Sequence, residues 1–91
     1  MSTLPLTAVL YTRRECPLCD EMKVELERAA VPDLDLELVD VDSDPELRDR
    51  FGWRIPVLEI GGDVLLEGRW SAAQVARRIA ARRQELQGEG A

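Results

Sequence analysis

The sequence predicts an α/β domain in which a four-stranded mixed sheet is flanked by helices, in the order β-α-β-α-β-β-α. Three observations carry this prediction. An apolar run precedes an amphipathic helical pattern, an alternating strand pattern follows that helix, and a Gly-Gly turn joins two further short strands. The 91 residues are enough for one core, so we expect a single domain over residues 1–87 and a flexible tail over 88–91.

The first strand, the first helix and the second strand form a β-α-β unit. Residues 6–11 are an apolar run typical of a buried strand, and the helix is expected to begin near Pro17 and to end at residues 31–33. Leucines alternate with acidic residues over 34–41 and predict the second strand. Such a unit crosses over right-handed, so its two strands are parallel. The helix face expected to be buried comprises Leu18, Met22, Leu26 and Ala29.

A short helix and a hairpin follow. Residues 42–45 combine capping aspartates with a proline and predict a short helix through about Phe51. Residues 57–60 and 64–67 are strand patterns on either side of Gly61-Gly62, a turn able to supply positive φ angles. These last two strands are therefore expected to pair antiparallel.

The final helix is marked by a capping box. Ser71 and Gln74 have the spacing in which a hydroxyl and a side-chain amide cap the first helical turn. The stripe expected to be buried comprises Val75, Ile79 and Leu86. The arginines of this helix are interpreted as a solvated face, with a docking face for an acidic protein as the alternative: Arg77, Arg78, Arg82 and Arg83.

Composition and charge exclude several classes of function. The net charge is −6, which argues against binding of nucleic acid through its phosphates. The chain has no histidine, which removes His-based metal sites and Ser-His-Asp triads. It has no apolar run of the roughly 18–20 residues needed to span a membrane, and residues 1–5 do not resemble a secretory signal. We therefore expect a cytoplasmic protein that does not bind membranes.

The only two cysteines stand in the segment Cys16-Pro17-Leu18-Cys19, where the first helix begins. Cys16 is expected at the N-cap, where the helix dipole favours a thiolate. Arg13 and Arg14 add positive charge, and together these features should lower the pKa of the Cys16 thiol from about 8.5 toward neutrality. Asp20 and Glu21 oppose this shift.

Cys19 lies one helical turn further on, on the inward side next to Met22. The placement predicts thiol–disulfide exchange: Cys16 attacks a substrate disulfide, and the more buried Cys19 then attacks Cys16 and releases the product. Two buried structural cysteines, or half of a zinc site, are the alternatives. A four-ligand zinc site within one chain lacks two of its ligands.

A second signal is Ile55-Pro56, immediately before the third strand. Proline cannot donate to a sheet ladder, so it belongs at the first residue or the edge of a strand. With the cysteine motif upstream we expect a cis peptide that exposes the N–H and C=O groups of Ile55 to an extended substrate. An ordinary trans proline is the alternative.

Trp53 and Arg54 lie just before that proline. We expect Trp53 to form an apolar wall for a substrate and Arg54 to pair with a substrate carboxylate. The alternatives are that Trp53 packs on the short helix and that Arg54 is solvated. Tyr11 and Met22 are expected in the core.

The chain resembles the glutaredoxins, and within them the small glutaredoxin-like proteins of bacteria. The resemblance covers residues 6–86 and rests on Leu10-Tyr11-Thr12-Arg13, Cys16-Pro17-Leu18-Cys19, Val39-Asp40-Val41-Asp42, Ile55-Pro56-Val57-Leu58 and Gly61-Gly62. It implies a thioredoxin-type fold, with Pro56 as a cis proline facing the cysteine pair.

The chain departs from this family pattern at two places. Leu18 stands where glutaredoxins usually have Tyr. The Gly-Gly and acidic residues that hold the γ-glutamyl end of glutathione after the fourth strand are replaced by Gly68 and Arg69. Arg69 and the N-terminus of the last helix remain candidates to meet a carboxylate.

The predicted function is therefore that of a glutaredoxin-like thiol–disulfide oxidoreductase. Its catalytic residues are Cys16, Cys19 and Arg13, and its substrate-binding residues are Trp53, Arg54, Ile55, Pro56, Gly68 and Arg69. We expect a monomer that requires no metal or organic cofactor and acts on disulfide-containing proteins or glutathione mixed disulfides. Glutathione is a candidate cosubstrate, and either thioredoxin reductase or the glutathione system is the expected reductant. The alternatives are a redox sensor or adaptor with little turnover and a dimer that holds a 2Fe–2S cluster with glutathione.

Overall fold

Four strands form a mixed sheet in the order β2-β1-β3-β4 in a computed structural model that describes residues 5–88. The strands are β1 (Leu6–Thr12), β2 (Leu34–Asp40), β3 (Val57–Ile60) and β4 (Asp63–Glu67). The helices are α1 (Pro17–Ala29), α2 (Pro45–Phe51) and α3 (Ala72–Gly88). Gly88 ends α3, and residues 89–91 of the predicted tail lie outside the described residues.

The pairing of the strands confirms the predicted topology. β1 and β2 are parallel, as a β-α-β crossover requires. β1 pairs antiparallel with β3, and β3 with β4 across the predicted Gly61-Gly62 turn, where both glycines have positive φ. The second strand ends one residue earlier than predicted, because a single 3-10 turn, Val41–Ser43, is capped by the Asp40 carboxylate on the Asp42 N–H at 2.8 Å.

The core is divided between the two faces of the sheet. The larger cluster joins β1, β3 and β4 to α1 and α3, and it includes Leu10, Met22 and Ile79. The smaller cluster comprises Tyr11, Val41, Phe51 and Val57 under α2. These two clusters confirm the expectation that Tyr11 and Met22 are core residues.

Tyr11 is the polar member of the smaller cluster. Its ring stacks on Phe51 with centroids 4.4 Å apart, and its hydroxyl donates to Glu59 Oε1 at 3.3 Å. Burial, and after it the Glu59 carboxylate, raise the pKa of the Tyr11 hydroxyl above its usual value.

The buried face of α1 differs from the predicted one at its start. Leu18 is 49% exposed, and Cys19 takes the inward position together with Met22 and Leu26. The inward residues therefore follow an i, i+3, i+7 pattern. As a consequence Leu18 lies on the surface beside the cysteine pair.

Arg82 is the main correction to the predicted surface of α3. It was expected on a solvated face, but it is only 8% exposed. Its guanidinium donates to the carbonyls of Ile60 and Gly61 at 3.2 and 3.4 Å and to Asp63 Oδ2 at 2.8 Å. These oxygens lie in the β3–β4 turn and need donors, which explains why an arginine is buried there.

The start of α3 confirms the predicted capping box. The Ser71 Oγ accepts from the Gln74 N–H at 3.2 Å, and the Gln74 Oε1 accepts from the Ser71 N–H at 3.0 Å. Within residues 5–88, none of the helices is long and apolar enough to cross a membrane.

Candidate functional site

Three connecting segments meet at the same end of the strands. Tyr11 lies opposite Val57, and Val57 lies opposite Glu67 in the neighbouring ladder. The C-terminal ends of β1 and β4 and the N-terminal end of β3 therefore meet. This register brings the loop before α1, the segment before Pro56 and the segment after β4 to the same side of the molecule.

The cysteine pair opens α1 on this side. Cys16 is the N-cap residue and Pro17 the first helical residue, as predicted. The Cys16 Sγ accepts a hydrogen bond from the Cys19 N–H at 3.2 Å, and the two cysteines form a disulfide with their Cα atoms 5.2 Å apart. Cys16 is partly exposed, whereas Cys19 is fully buried. The two sulfurs therefore differ in access, as exchange chemistry with an attacking and a resolving thiol requires.

Arg13 ties the loop before α1 to two other segments. Its Nε and Nη2 donate to the Asp42 carboxylate at 2.8 and 3.2 Å, and its Nη1 donates to the Gly52 carbonyl at 3.4 Å. Arg48 adds a second cation 3.8 Å from the same carboxylate. The hydrogen bond from Arg13 is the first cause that holds the pKa of Asp42 below its usual value.

This pairing changes how Arg13 can act. Its role in tuning the thiolate stays a prediction, but the charge that it presents near Cys16 is offset by Asp42. In the structure, Arg13 links the loop before α1 to the 3-10 turn and to Gly52.

The Ile55-Pro56 peptide is cis, as predicted. Pro56 is buried, and its carbonyl accepts from the Gly68 N–H at 2.8 Å. The expectation that both backbone groups of Ile55 are open is wrong for the N–H, which donates to the Phe51 carbonyl at 3.1 Å. That carbonyl lies at the end of α2, where helical carbonyls lack partners, so the chain following the helix satisfies it.

Neither of the alternatives stated for Trp53 and Arg54 is observed. Trp53 is 99% exposed, so it does not pack on the short helix. Arg54 forms an ion pair with Glu67, with Nε 2.6 Å from Oε1, and its guanidinium lies 5.3 Å from the Phe51 ring centroid. It is therefore not simply solvated, and a substrate carboxylate would have to compete with Glu67.

Gly68 and Arg69 follow β4. Gly68 has a φ of +79°, a conformation that side chains rarely adopt, and this explains the glycine at the turn out of the sheet. The Arg69 Nε lies 3.7 Å from Glu21 Oε2 on α1. Like Arg54, Arg69 is thus paired with a carboxylate of its own chain.

Glu25 is a residue that sequence reasoning did not single out. Its Oε2 accepts from the Ala72 N–H at the start of α3 at 2.7 Å, across a sequence separation of 47 residues. Its side chain is only 16% exposed. No local pattern marks it, because it stands among other acidic residues of a charged helix.

Metal binding has no supporting cluster in the described part of the chain. Residues 5–88 contain no group of three or more His, Cys, Asp or Glu side chains placed to hold an ion.

A mixed four-stranded sheet with a Cys-x-x-Cys disulfide at the start of its first helix defines a redox-type protein of the thioredoxin fold. The chain belongs to the glutaredoxin-like domain family (DUF836), whose model matches residues 7–80. No curated protein matches the sequence of this chain.

Solved structures agree with this assignment. The crystal structure of protein XcR50 from X. campestris is 28% identical, with a TM-score of 0.72 over 81% of this chain and 96% of that one. Reduced desulfothioredoxin from Desulfovibrio vulgaris Hildenborough is 24% identical, with a TM-score of 0.66 over 86% and 82%. Thioredoxin 1 from Thermosipho africanus is 19% identical, with a TM-score of 0.61 over 91% and 99%. The last two likenesses show the fold.

Proposed function

We propose that the protein is a thiol–disulfide oxidoreductase that reduces disulfides with the Cys16–Cys19 dithiol. One observation carries the proposal: the Cys16 sulfur sits at the N-cap of α1 with a backbone N–H donor, while Cys19 is buried behind it. The N-cap position favours a thiolate at Cys16 because the helix dipole and the N–H group both stabilise negative charge. A buried, less accessible Cys19 is suited to a second, intramolecular step.

The reaction proceeds in two exchanges. The Cys16 thiolate attacks one sulfur of the substrate disulfide, which forms a Cys16–substrate disulfide and releases the other substrate sulfur as a thiolate. Cys19 loses its proton to solvent and attacks the Cys16 Sγ, which forms the Cys16–Cys19 disulfide and releases the second substrate thiolate. Two electrons pass to the substrate, and both released thiolates take protons from water.

Recognition is assigned to the surface around Cys16. The Ile55 carbonyl is the backbone group that accepts a hydrogen bond from an extended substrate segment. Leu18 and Trp53 offer exposed apolar surface on the same side of the molecule. Arg13 holds the loop in place through Asp42, and Arg54, Gly68 and Arg69 border the site through their contacts with Glu67, Pro56 and Glu21.

A thiol reductant must return the protein to its dithiol form. We propose that a thioredoxin reductase or the glutathione system supplies it, and that the protein acts as a monomer in the reducing cytoplasm. Neither the attack by Cys16 nor the attack by Cys19 needs a cofactor.

Turnover with a disulfide-bonded protein tests the proposal. The wild-type protein, Cys16→Ser and Cys19→Ser are compared with NADPH and thioredoxin reductase, and in parallel with NADPH, glutathione and glutathione reductase. We expect NADPH oxidation in at least one system, and loss of at least about 100-fold in Cys16→Ser, because the attacking thiolate is gone. A Cys16→Ser variant with full activity would overturn the assignment. A wild-type protein that forms the disulfide but turns over in neither system would instead be a sensor or adaptor.

A further inference from the structure

The start of α3 follows β4 on the side of the molecule that carries Cys16, and most of its backbone N–H groups already have hydrogen-bond partners. A helix leaves its first four N–H groups without helical partners. Three of these four are satisfied by side chains: Ser71 by Gln74, Gln74 by Ser71, and Ala72 by Glu25. This helix end therefore has little capacity to receive an anion from outside.

Glu25 is the carboxylate that already lies there. It extends from α1, its Oε2 is 2.7 Å from the Ala72 nitrogen, and its Oε1 is 3.5 Å from Arg28 Nη1. A side chain that is 84% covered and points at a helix N-terminus is an internal anion in a favourable position. A second carboxylate at the same point would lose the hydrogen bond and meet a like charge.

The two arginines that were expected to bind substrate are also paired within the chain. Arg69 lies 3.7 Å from Glu21, one turn before Glu25 on α1. Arg54 is held by Glu67, at the end of β4. Both side chains are partly exposed, so the pairs can exchange with solvent, but neither cation presents an unbalanced charge.

We propose that Glu25 is a specificity-determining residue that closes the start of α3 to the γ-glutamyl carboxylate of glutathione, so that the dithiol acts on protein disulfides. This inference rests on the proposed function, since it names the substrate class of the same site. The exchange steps are the same for both classes of substrate. Only the non-covalent recognition of the charged γ-glutamyl end differs, and an extended protein segment does not need it.

The test compares two small mixed disulfides that carry the same leaving thiol. One contains glutathione, and the other contains N-acetylcysteinylglycine, which keeps the thiol and the glycine carboxylate but lacks the charged γ-glutamyl end. The ratio of their kcat/KM values isolates recognition of that end. We expect a ratio of about 1 or below for the wild-type protein. In Glu25→Ala and Glu25→Gln the ratio should rise about 3- to 5-fold, the usual effect of a charge at a helix terminus.

Glu27→Gln is the matched control, because Glu27 is an exposed acid on the same helix, and its ratio should equal that of the wild-type protein. A wild-type ratio of 10 or more would overturn the inference while leaving the proposed function intact. The same holds for Glu25 variants with native circular dichroism whose ratio does not change. If neither disulfide nor a disulfide-bonded protein is reduced, the proposed function itself fails, and the inference fails with it.

Discussion

Cys16 and Cys19 are the same residue type one helical turn apart, but their surroundings differ. Cys16 is partly exposed at the N-cap, whereas Cys19 lies in the core beside Met22. Access to solvent and reagents is therefore unequal for the two thiols once the disulfide is reduced.

This inequality predicts selective alkylation of the reduced protein. Iodoacetamide should modify Cys16 at least ~10-fold faster than Cys19, because a buried thiol is protected until the helix start opens. Peptide mapping by mass spectrometry at short reaction times measures both rates, and the oxidised protein serves as the unreactive control. Equal rates at the two positions would contradict the description of Cys19 as buried.

Asp42 gives the fold a dependence on acid. Because its pKa is lowered in the folded protein, its ion pair with Arg13 stabilises the fold above the pKa that Asp has in the unfolded chain, about 3.9. This contribution is lost as the pH falls through the folded pKa. The wild-type protein should therefore be more stable than Asp42→Asn at pH 7, and the difference should shrink toward pH 3.

Urea unfolding at both pH values measures this difference. Asp35→Asn is the control, since Asp35 is an exposed acid on β2 that takes no part in the Arg13–Asp42 ion pair. A difference between wild type and Asp42→Asn that is unchanged from pH 7 to pH 3 would contradict the assigned ion pair.

Arg82 is a residue whose removal should be costly. Arg82→Met leaves the Ile60 and Gly61 carbonyls and Asp63 without their donor, and we expect the free energy of unfolding to fall by about 2–3 kcal/mol. Arg78→Met, at an exposed position of the same helix, should change it by no more than about 0.5 kcal/mol. An Arg82→Met effect that is as small as the one expected for Arg78→Met, measured by denaturant unfolding, would show that the Arg82 contacts contribute nothing.

At the scale of secondary structure, each helix begins with a local signal that the sequence displays. Cys16 and Pro17 open α1, Asp44 and Pro45 open α2, and Ser71 opens α3. These caps fix where the helices start, and in α1 the cap is also the residue proposed to attack the substrate disulfide.

The cap of α3 offers a test at this scale. Ser71→Ala removes the hydroxyl that accepts from the Gln74 N–H, and we expect a loss of about 1 kcal/mol in the free energy of unfolding. Ser71→Thr keeps the hydroxyl and should recover most of that loss. If both variants match the wild-type protein in urea unfolding, the capping box has no energetic role.

At the scale of the whole molecule, the features that depend on residues close together in the chain could be predicted from the sequence. The order of elements, the N-cap cysteine and the capping box are local patterns of a few residues, and all three are confirmed. The cis peptide before Pro56, expected because the cysteine motif lies upstream, is also confirmed.

The remaining features depend on partners that lie far apart in the chain. Arg13 meets Asp42 over 29 residues, Glu25 meets Ala72 over 47, and Arg82 meets Ile60 over 22. Periodicity identifies a charged residue on a helix, but it does not show which carbonyl or helix end will face that residue after folding. For this reason the arginines predicted to meet substrate proved to be paired with carboxylates of their own chain.

The central claim is that Cys16 is the attacking thiol and Cys19 the resolving one, and trapping of the mixed disulfide tests it most directly. Reduced Cys19→Ser and Cys16→Ser proteins are mixed with a disulfide-bonded peptide and analysed by intact-mass and peptide-map mass spectrometry. We predict a stable 1:1 adduct of one peptide half on Cys16 in Cys19→Ser, and no comparable adduct in Cys16→Ser. An adduct on Cys19 in Cys16→Ser, formed as fast as the one on Cys16, would contradict the claim.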